Sequence, residues 1–344
     1  MPQTLTEVAA GTGKDGNGTP AIDIVAVHGL NPKAKSNHAW RTWTTNSDRL
    51  WLRDDLPEAF PDARALIYQY DSVPVLMSTK TRLVQQATDL LYCIDMERDT
   101  CPTRPLIFVA HSLGGILALV NAANNPEYTA IKQSTRGLAF FGTPHAGGNE
   151  TLVSFGSKCA VVVNFVNHSS ANDLVGAVKR GSQYADTLAE SWKHQLTDYR
   201  IVSFYEGIGN IVPRDSAVLG MPGLVETVAR IDADHSNICR FDTSVPEDMN
   251  NYKKVQHGLG KICQAALRLP PFTPAAQASN TQTNNVARDD IMVASMDLRH
   301  RSTNGSETEE QIPKLLNAMS VLRLVARHST GDDAMPRPDQ QLFD

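Results

Sequence analysis

A chain of 344 residues with 41% hydrophobic content can bury a substantial core as one large or two smaller domains, and we read one domain flanked by tails. Its formal net charge of -5 leaves no basic footprint, which argues against nucleic acid as a partner. No apolar run approaches the ~20 residues of a membrane-spanning helix, the best candidate, Cys159 to Val166, being short and interrupted by Asn164.

Residues 1–20 are rich in Gly, Thr and Ala, with no apolar stretch preceded by basic residues. They read as a disordered tail and not as a secretory signal, so the chain is expected in the cytosol by default and not outside the cell. The five cysteines, Cys93, Cys101, Cys159, Cys239 and Cys263, have no C-x-x-C or Cys/His ligand spacing. That odd count without a framework fits a reducing compartment, and neither structural zinc nor any other metal or cofactor is expected.

Strand and helix signals alternate from Ala21 to about Leu269. The apolar, β-branched run Ile22 to Val27 predicts a strand ending at His28-Gly29-Leu30, followed by a long loop carrying Trp40, Trp43 and Trp51. Ala65 to Tyr70 reads as a second strand, and Thr79 to Met96 places Leu83, Ala87, Leu90, Leu91 and Ile94 at helical spacing. Further strands are predicted at Leu106 to Ala110, Gly137 to Phe141, Arg200 to Tyr205 and Val225 to Ile231, and a closing helix at Tyr252 to Leu267. The alternation implies a doubly wound, mainly parallel α/β sheet covered on both faces over 21–269. Between 147 and 196 the rhythm gives way to a helical insertion, read as a cap over the site or as a decoration remote from it. From Pro270 the composition turns to Pro, Gln, Thr, Asn and charge, so 270–344 reads as mostly disordered, with a candidate amphipathic helix at 312–327.

The chemistry concentrates at Pro105-Leu-Ile-Phe-Val-Ala-His-Ser-Leu-Gly-Gly115, where an apolar strand runs into a serine among small residues. A nucleophilic serine at a strand-to-helix turn sits in a strained backbone, so the positions two before and two after it must be nearly free of side chain. Here they are Ala110 and Gly114, with Gly115 removing another Cβ where the helix, predicted through Asn124, presses on the sheet. The competing reading is a serine at an ordinary turn.

If Ser112 is the nucleophile, the base belongs on the loop after the last strand, where His235 lies in Asp232-Ala-Asp-His-Ser-Asn237. The acid belongs after the preceding strand, where Glu206 is favoured over Asp215 because strand ends hold a side chain more rigidly than loops. Two backbone donors are needed for a developing oxyanion: Leu113, directly after the nucleophile, and Leu30, with Gly29 as the alternative. His28, placed in packing or hydrogen bonding beneath the site, and His145, on the Gly142-Thr-Pro-His145 loop facing it, are candidates for the substrate pocket together with Trp40. His111 is expected to point away along the helix or into packing. Trp40 and Trp43 are candidates for lining an acyl or alcohol pocket, with aromatic core the competing assignment.

Several segments in this order carry a family resemblance. They are Val27-His-Gly-Leu30, Trp51-Leu-Arg-Asp54 with Leu56-Pro57, Tyr68-Gln-Tyr-Asp71, Phe108-Val-Ala-His-Ser-Leu-Gly-Gly115, Phe140-Phe-Gly-Thr-Pro-His145, Ser203-Phe-Tyr-Glu206 and Ala233-Asp-His-Ser-Asn-Ile-Cys239. Together they resemble the serine esterase/lipase group of the α/β-hydrolase superfamily. Within it they are most similar to the serine active site-containing proteins and their fungal receptor-associated relatives, and more distantly to GPI inositol-deacylases. The resemblance implies an α/β-hydrolase fold with a cap insertion and catalytic roles for Ser112 and His235, leaving Glu206 and Asp215 open. It also permits mitochondrial or endoplasmic reticulum association. Where many relatives carry Arg after the Pro-His, this chain has Ala146, and no nucleotide-binding motif follows residue 270.

The expectation is a serine hydrolase acting on a small-molecule or lipid ester, without cofactor, with peripheral membrane contact allowed and the oligomeric state open. An acyltransferase would use the same residues. The alternative from another class is a signalling module that keeps the hydrolase shape and acts through partner binding.

Overall fold

A computed structural model describes residues 3–13, 18–31, 34–72, 80–115, 117, 126–145, 196–209 and 211–268. The predicted tail at 270–344 with its helix at 312–327, the insertion at 147–196 apart from its last residue, and the helix after Ser112 beyond residue 117 lie outside the described residues.

Seven strands form one sheet: β1 Thr4–Ala9, β2 Ile22–Val27, β3 Ala63–Gln69, β4 Leu106–His111, β5 Thr135–Phe141, β6 Arg200–Glu206 and β7 Glu226–Ile231. Their order is β1-β3-β2-β4-β5-β6-β7, with β1 antiparallel to β3 and every other pair parallel. The outcome is the doubly wound α/β sheet that the alternation predicts.

Every residue of β2 and β4 is buried, as a strand with helices on both faces requires. Side chains alternate between two apolar clusters. Val25, Val27, Phe108, Ala110 and Phe140 face one side, where they meet Leu90, Leu91 and Ile94 of α4 (Lys80–Glu97) and Ile131 of α5 (Thr129–Ser134). Ile24, Ala26, Val109, Phe141 and Phe204 face the other, where they meet Val255, Leu259 and Ile262 of α7 (Pro246–Arg268). Gly137 and Gly258 let α7 lie close to the sheet, since a Cβ on Gly137 would come within 2.0 Å of Ile262 Cγ2.

Two expectations are corrected. Residues 1–20 are not simply a disordered tail, because Thr4–Ala9 pairs with β3 as an edge strand. Its polar, half-exposed sequence has only backbone hydrogen bonds and one face to recommend it, which is why no strand signal stands out. The long loop after β2 also carries three short helices, α1 (His38–Trp43), α2 (Trp51–Asp54) and α3 (Leu56–Ala59), none with a side-chain hydrogen bond at its N-cap. Their anchors are apolar: Trp43, Trp51 and Leu56 are all fully buried in the α7-side cluster.

At the other end of the strands, Asp23 is fully buried and holds three guanidinium groups. Its carboxylate lies 2.8 Å from Arg64 Nε, 2.5 Å from Arg98 Nη1 and 3.0 Å from Arg104 Nη1. This cluster closes the N-terminal edge of the sheet, opposite the residues considered next.

Candidate active site

Strand β4 delivers Ser112 at its C-terminal end, where the backbone turns sharply. The φ of +53° at Ser112 is in the left-handed region, a conformation that costs a non-glycine residue about 1–3 kcal/mol and persists only where its surroundings enforce it. They do so on three sides. The Ser112 N–H donates to Phe141 O at 2.9 Å, and Gly115 N–H donates to Ser112 O at 3.2 Å. A Cβ on Gly114 would lie 2.4 Å from His28 O and 2.5 Å from Val27 O, so the chain after the serine rests directly on the end of β2. A Cβ on Gly115 would lie 2.3 Å from Thr143 Oγ1. The small residues thus stand where the turn requires them.

His235 lies on the loop after β7 and is buried. Asp234 Oδ1 accepts the backbone N–H groups of Ser236 and Asn237 at 3.0 Å each, and Ala233 O accepts those of Gly207 and Ile208 at 3.2 and 3.1 Å. This folded loop brings His235 Nε2 to 3.1 Å from Ser112 Oγ and His235 Nδ1 to 2.8 Å from Glu206 Oε1.

Glu206, at the end of β6, uses both oxygens as acceptors, Oε1 from Val212 N–H at 2.9 Å and Oε2 from Ile211 N–H at 3.0 Å. With the carboxylate accepting, the shared proton belongs to His235 Nδ1, and a neutral ring then presents the Nε2 lone pair to the serine hydroxyl. Asp215 is elsewhere: its side chain is 96% exposed, on α6 (Arg214–Ala217), 3.9 Å from Arg214 Nη1. The structure brings together Ser112, His235 and Glu206, and leaves Asp215 on the surface.

Of the predicted backbone donors, Leu113 follows the serine directly and Gly29 packs against it. Leu113 opens the helical turn after it, where first-turn amides have no intrahelical acceptor. Gly29 lies against the serine, since a Cβ there would sit 2.8 Å from Ser112 Cβ, and Leu30 follows it, buried.

His28 is buried beneath this loop. It stacks on Tyr70 with ring centroids 4.3 Å apart, its Nδ1 lies 2.9 Å from Gly29 O, and Tyr70 Oη donates to His28 O at 2.8 Å. Burial, with His38 5.2 Å away, pushes its pKa down to about 3. His28 therefore supports the loop as a neutral ring.

The remaining expectations divide. Trp43 is core, edge-on to Phe141 at 6.3 Å, and Trp40 is partly buried against the same cluster. His145 is buried edge-on to Phe140 at 4.7 Å, with its N–H donating to Ser216 O at 2.6 Å, a packing arrangement that ties the loop after β5 to α6.

Two neighbours of His235 carry more than the sequence suggests. His111 belongs to β4, and of its two expected placements the one along the helix is corrected: its ring is packed beside His235, with Nε2 2.8 Å from His235 O. Gly142 has φ +55°, and a Cβ there would lie 3.1 Å from His235 Nδ1. A glycine between a strand end and Thr-Pro is the one signal that marks it.

Trp51 supports the same loop from below by donating from Nε1 to Cys239 O at 3.0 Å. Among the described residues, no helix is long and apolar enough to cross a membrane, and no group of three or more His, Cys, Asp and Glu is gathered to hold a metal.

No protein-family model matches the chain. Among curated proteins it is similar to Protein SERAC1 of Danio rerio, 27% identical over 253 residues, covering 63% of this chain and 36% of that protein. Protein SERAC1 of Bos taurus is 29% identical over 250 residues, again covering 63% and 36%. The chain thus spans little more than a third of the length of these relatives.

Among solved structures it is similar to an alpha/beta hydrolase superfamily protein from Enterococcus faecalis, 16% identical with a TM-score of 0.47 over 75% of this chain and 95% of that one. A monoacylglycerol lipase from Paleococcus ferrophilus is 14% identical with a TM-score of 0.42 over 76% and 99%. None of these likenesses assigns a substrate to this chain. Its own strand order, with a strained serine at the turn after β4, is that of the α/β-hydrolase fold.

Proposed function

We propose that the protein is a serine hydrolase that cleaves a carboxylic ester through an acyl-enzyme, with lipid esters inside the substrate class. The observation that carries this reading is the unbroken contact from Ser112 Oγ to His235 Nε2 at 3.1 Å and from His235 Nδ1 to Glu206 Oε1 at 2.8 Å.

In the first half-reaction His235 Nε2 takes the hydroxyl proton as Ser112 Oγ bonds to the ester carbonyl carbon. The resulting imidazolium is stabilised by Glu206, and the oxyanion by the N–H groups of Leu113 and Leu30. Collapse breaks the bond to the alkoxy oxygen, which leaves as an alcohol with the proton from His235. Water then attacks the acyl-enzyme with the same base, releasing the carboxylic acid and restoring Ser112. Burial of all three side chains favours this chemistry, because water is kept from competing for the hydrogen bonds.

A module acting only through partner binding would have no need to hold a serine at φ +53° against a base. Replacing Ser112 with Ala should reduce turnover of short-chain p-nitrophenyl esters by about a thousandfold or more while the melting temperature stays close to wild type. Equal turnover by variant and wild type would overturn the proposal.

A further inference from the structure

We infer that His111, the residue covalently before the nucleophile, is a positioning residue for the base, holding the main chain of His235 through its own imidazole. This rests on the reading of Ser112 and His235 as nucleophile and base.

His111 is the last residue of β4, in register with Phe141 of β5, so its Cα is fixed by the central part of the sheet. Its ring is buried, 5.0 Å from the His235 ring at an interplanar angle of 41°. His111 Nε2 lies 2.8 Å from the backbone carbonyl oxygen of His235. A carbonyl only accepts, so the proton is on Nε2, and the contact is a donated hydrogen bond with one permitted tautomer. On its other side the ring lies beside Gly29, where a Cβ would come within 3.3 Å of Nδ1.

The consequence is a division of labour at His235. Glu206 fixes the rotation of the imidazole by accepting from Nδ1, whereas His111 fixes where the backbone of that residue lies. Because His111 and Ser112 are adjacent in the chain, the nucleophile and the anchor of its base move together. Other bonds hold this loop at Asp232, Ala233, Asp234 and Cys239, but those partners lie on the loop itself, on the 207–208 segment, on α7 or on α1 and α2. The His111 bond ties it directly to the strand that carries the serine. A base displaced by about 1 Å from its productive position loses on the order of a hundredfold in rate, so a bond that limits this displacement acts on kcat.

The test compares His111→Phe, which keeps a ring and removes the donor, with His111→Gln, whose amide nitrogen reaches nearly as far as Nε2. For p-nitrophenyl butyrate the Phe variant should lose about ten- to a hundredfold in kcat with KM changed by less than about threefold, and the Gln variant should recover most of the loss. Amide hydrogen exchange of the peptide spanning 232–239 should be faster in the Phe variant and near wild type in the Gln variant. If the Phe variant does not fold, His111→Asn, whose amide falls one bond short, takes its place with the same expectation. Unchanged kcat and unchanged exchange in the donor-less variant would overturn the inference, as would a Gln variant no better than Phe at matched melting temperature. A wild-type chain that neither hydrolyses esters nor reacts at Ser112 would sink the parent reading alone, and the exchange experiment would still decide whether His111 holds the loop.

Discussion

The choice of Glu206 over Asp215 is open to a sharp test, because the two carboxylates differ so much in surroundings. In Glu206→Gln the side-chain oxygen can still face His235 Nδ1 and Val212 N–H, but the new NH2 group then faces the Ile211 N–H that Oε2 accepts at 3.0 Å. Two donors meet in a buried site, which costs about 1–3 kcal/mol of stability. The imidazolium formed during reaction also loses its anionic partner, a loss worth about a hundred- to ten-thousandfold in kcat, or about 3–5 kcal/mol of transition-state stabilisation. Asp215→Asn removes only an exposed charge 3.9 Å from Arg214, so stability should change by less than about 0.5 kcal/mol and kcat should not change. Steady-state kinetics on a short-chain ester, with denaturant unfolding run in parallel, separates the two effects. Glu206→Gln within threefold of wild-type kcat, or a large loss in Asp215→Asn, would refute the assignment.

Further outcomes follow from the surroundings of the site. Gly114→Ala forces a methyl group to within 2.4 Å of His28 O, a backbone atom with no free rotation, and should lower stability by about 1–3 kcal/mol and turnover with it; a neutral result by thermal unfolding would contradict the packing of the turn on β2. Burial holds His28 down at about 3 and His111 well below its ordinary value. An unfolded histidine binds its proton near pH 6.5, so as the pH is lowered from about 7 to 4 the unfolded chain takes up more protons than the folded one and stability falls, by up to about 1.4 kcal/mol per pH unit for each such histidine. Urea unfolding at pH 7, 6 and 5 should show that slope, and His28→Phe should flatten it; equal pH dependence in variant and wild type would contradict it. Asp23→Asn leaves Arg98, itself buried, without its anionic partner and should cost about 3–5 kcal/mol with little effect on kcat below the melting temperature, since the cluster lies at the far edge of the sheet. Wild-type-like unfolding of that variant would show the cluster to be dispensable.

Much of the fold is written locally. Strands β2 and β4 are buried on both faces, so each is an apolar run, broken only by Asp23 in β2 and ended by His111 in β4, that needs no knowledge of its neighbours to be recognised. The edge strand β1 has half-exposed Thr and Glu positions and gains its structure from pairing with β3, a contact about sixty residues away in sequence. Helices α1 to α3 are four to six residues long and exist because Trp43, Trp51 and Leu56 enter the core, which tertiary packing decides and propensity does not.

The site divides the same way. Ser112 is legible because steric demand fixes the small residues within three positions of it, and Glu206 and His235 because strand ends converge on one edge of a parallel sheet. His111 and Gly142 are not legible as neighbours of the base, because their roles come from where a loop more than ninety residues later in the chain comes to rest.

The account stands or falls on Ser112 as the activated nucleophile. The direct measurement is mass-spectrometric mapping of the adduct formed when the protein reacts with a fluorophosphonate. A single covalent phosphonyl group on the peptide carrying Ser112, formed rapidly in wild type and at least about a hundredfold more slowly in Glu206→Gln, is the predicted result. No adduct, or one on another residue while Ser112 remains free, would contradict it.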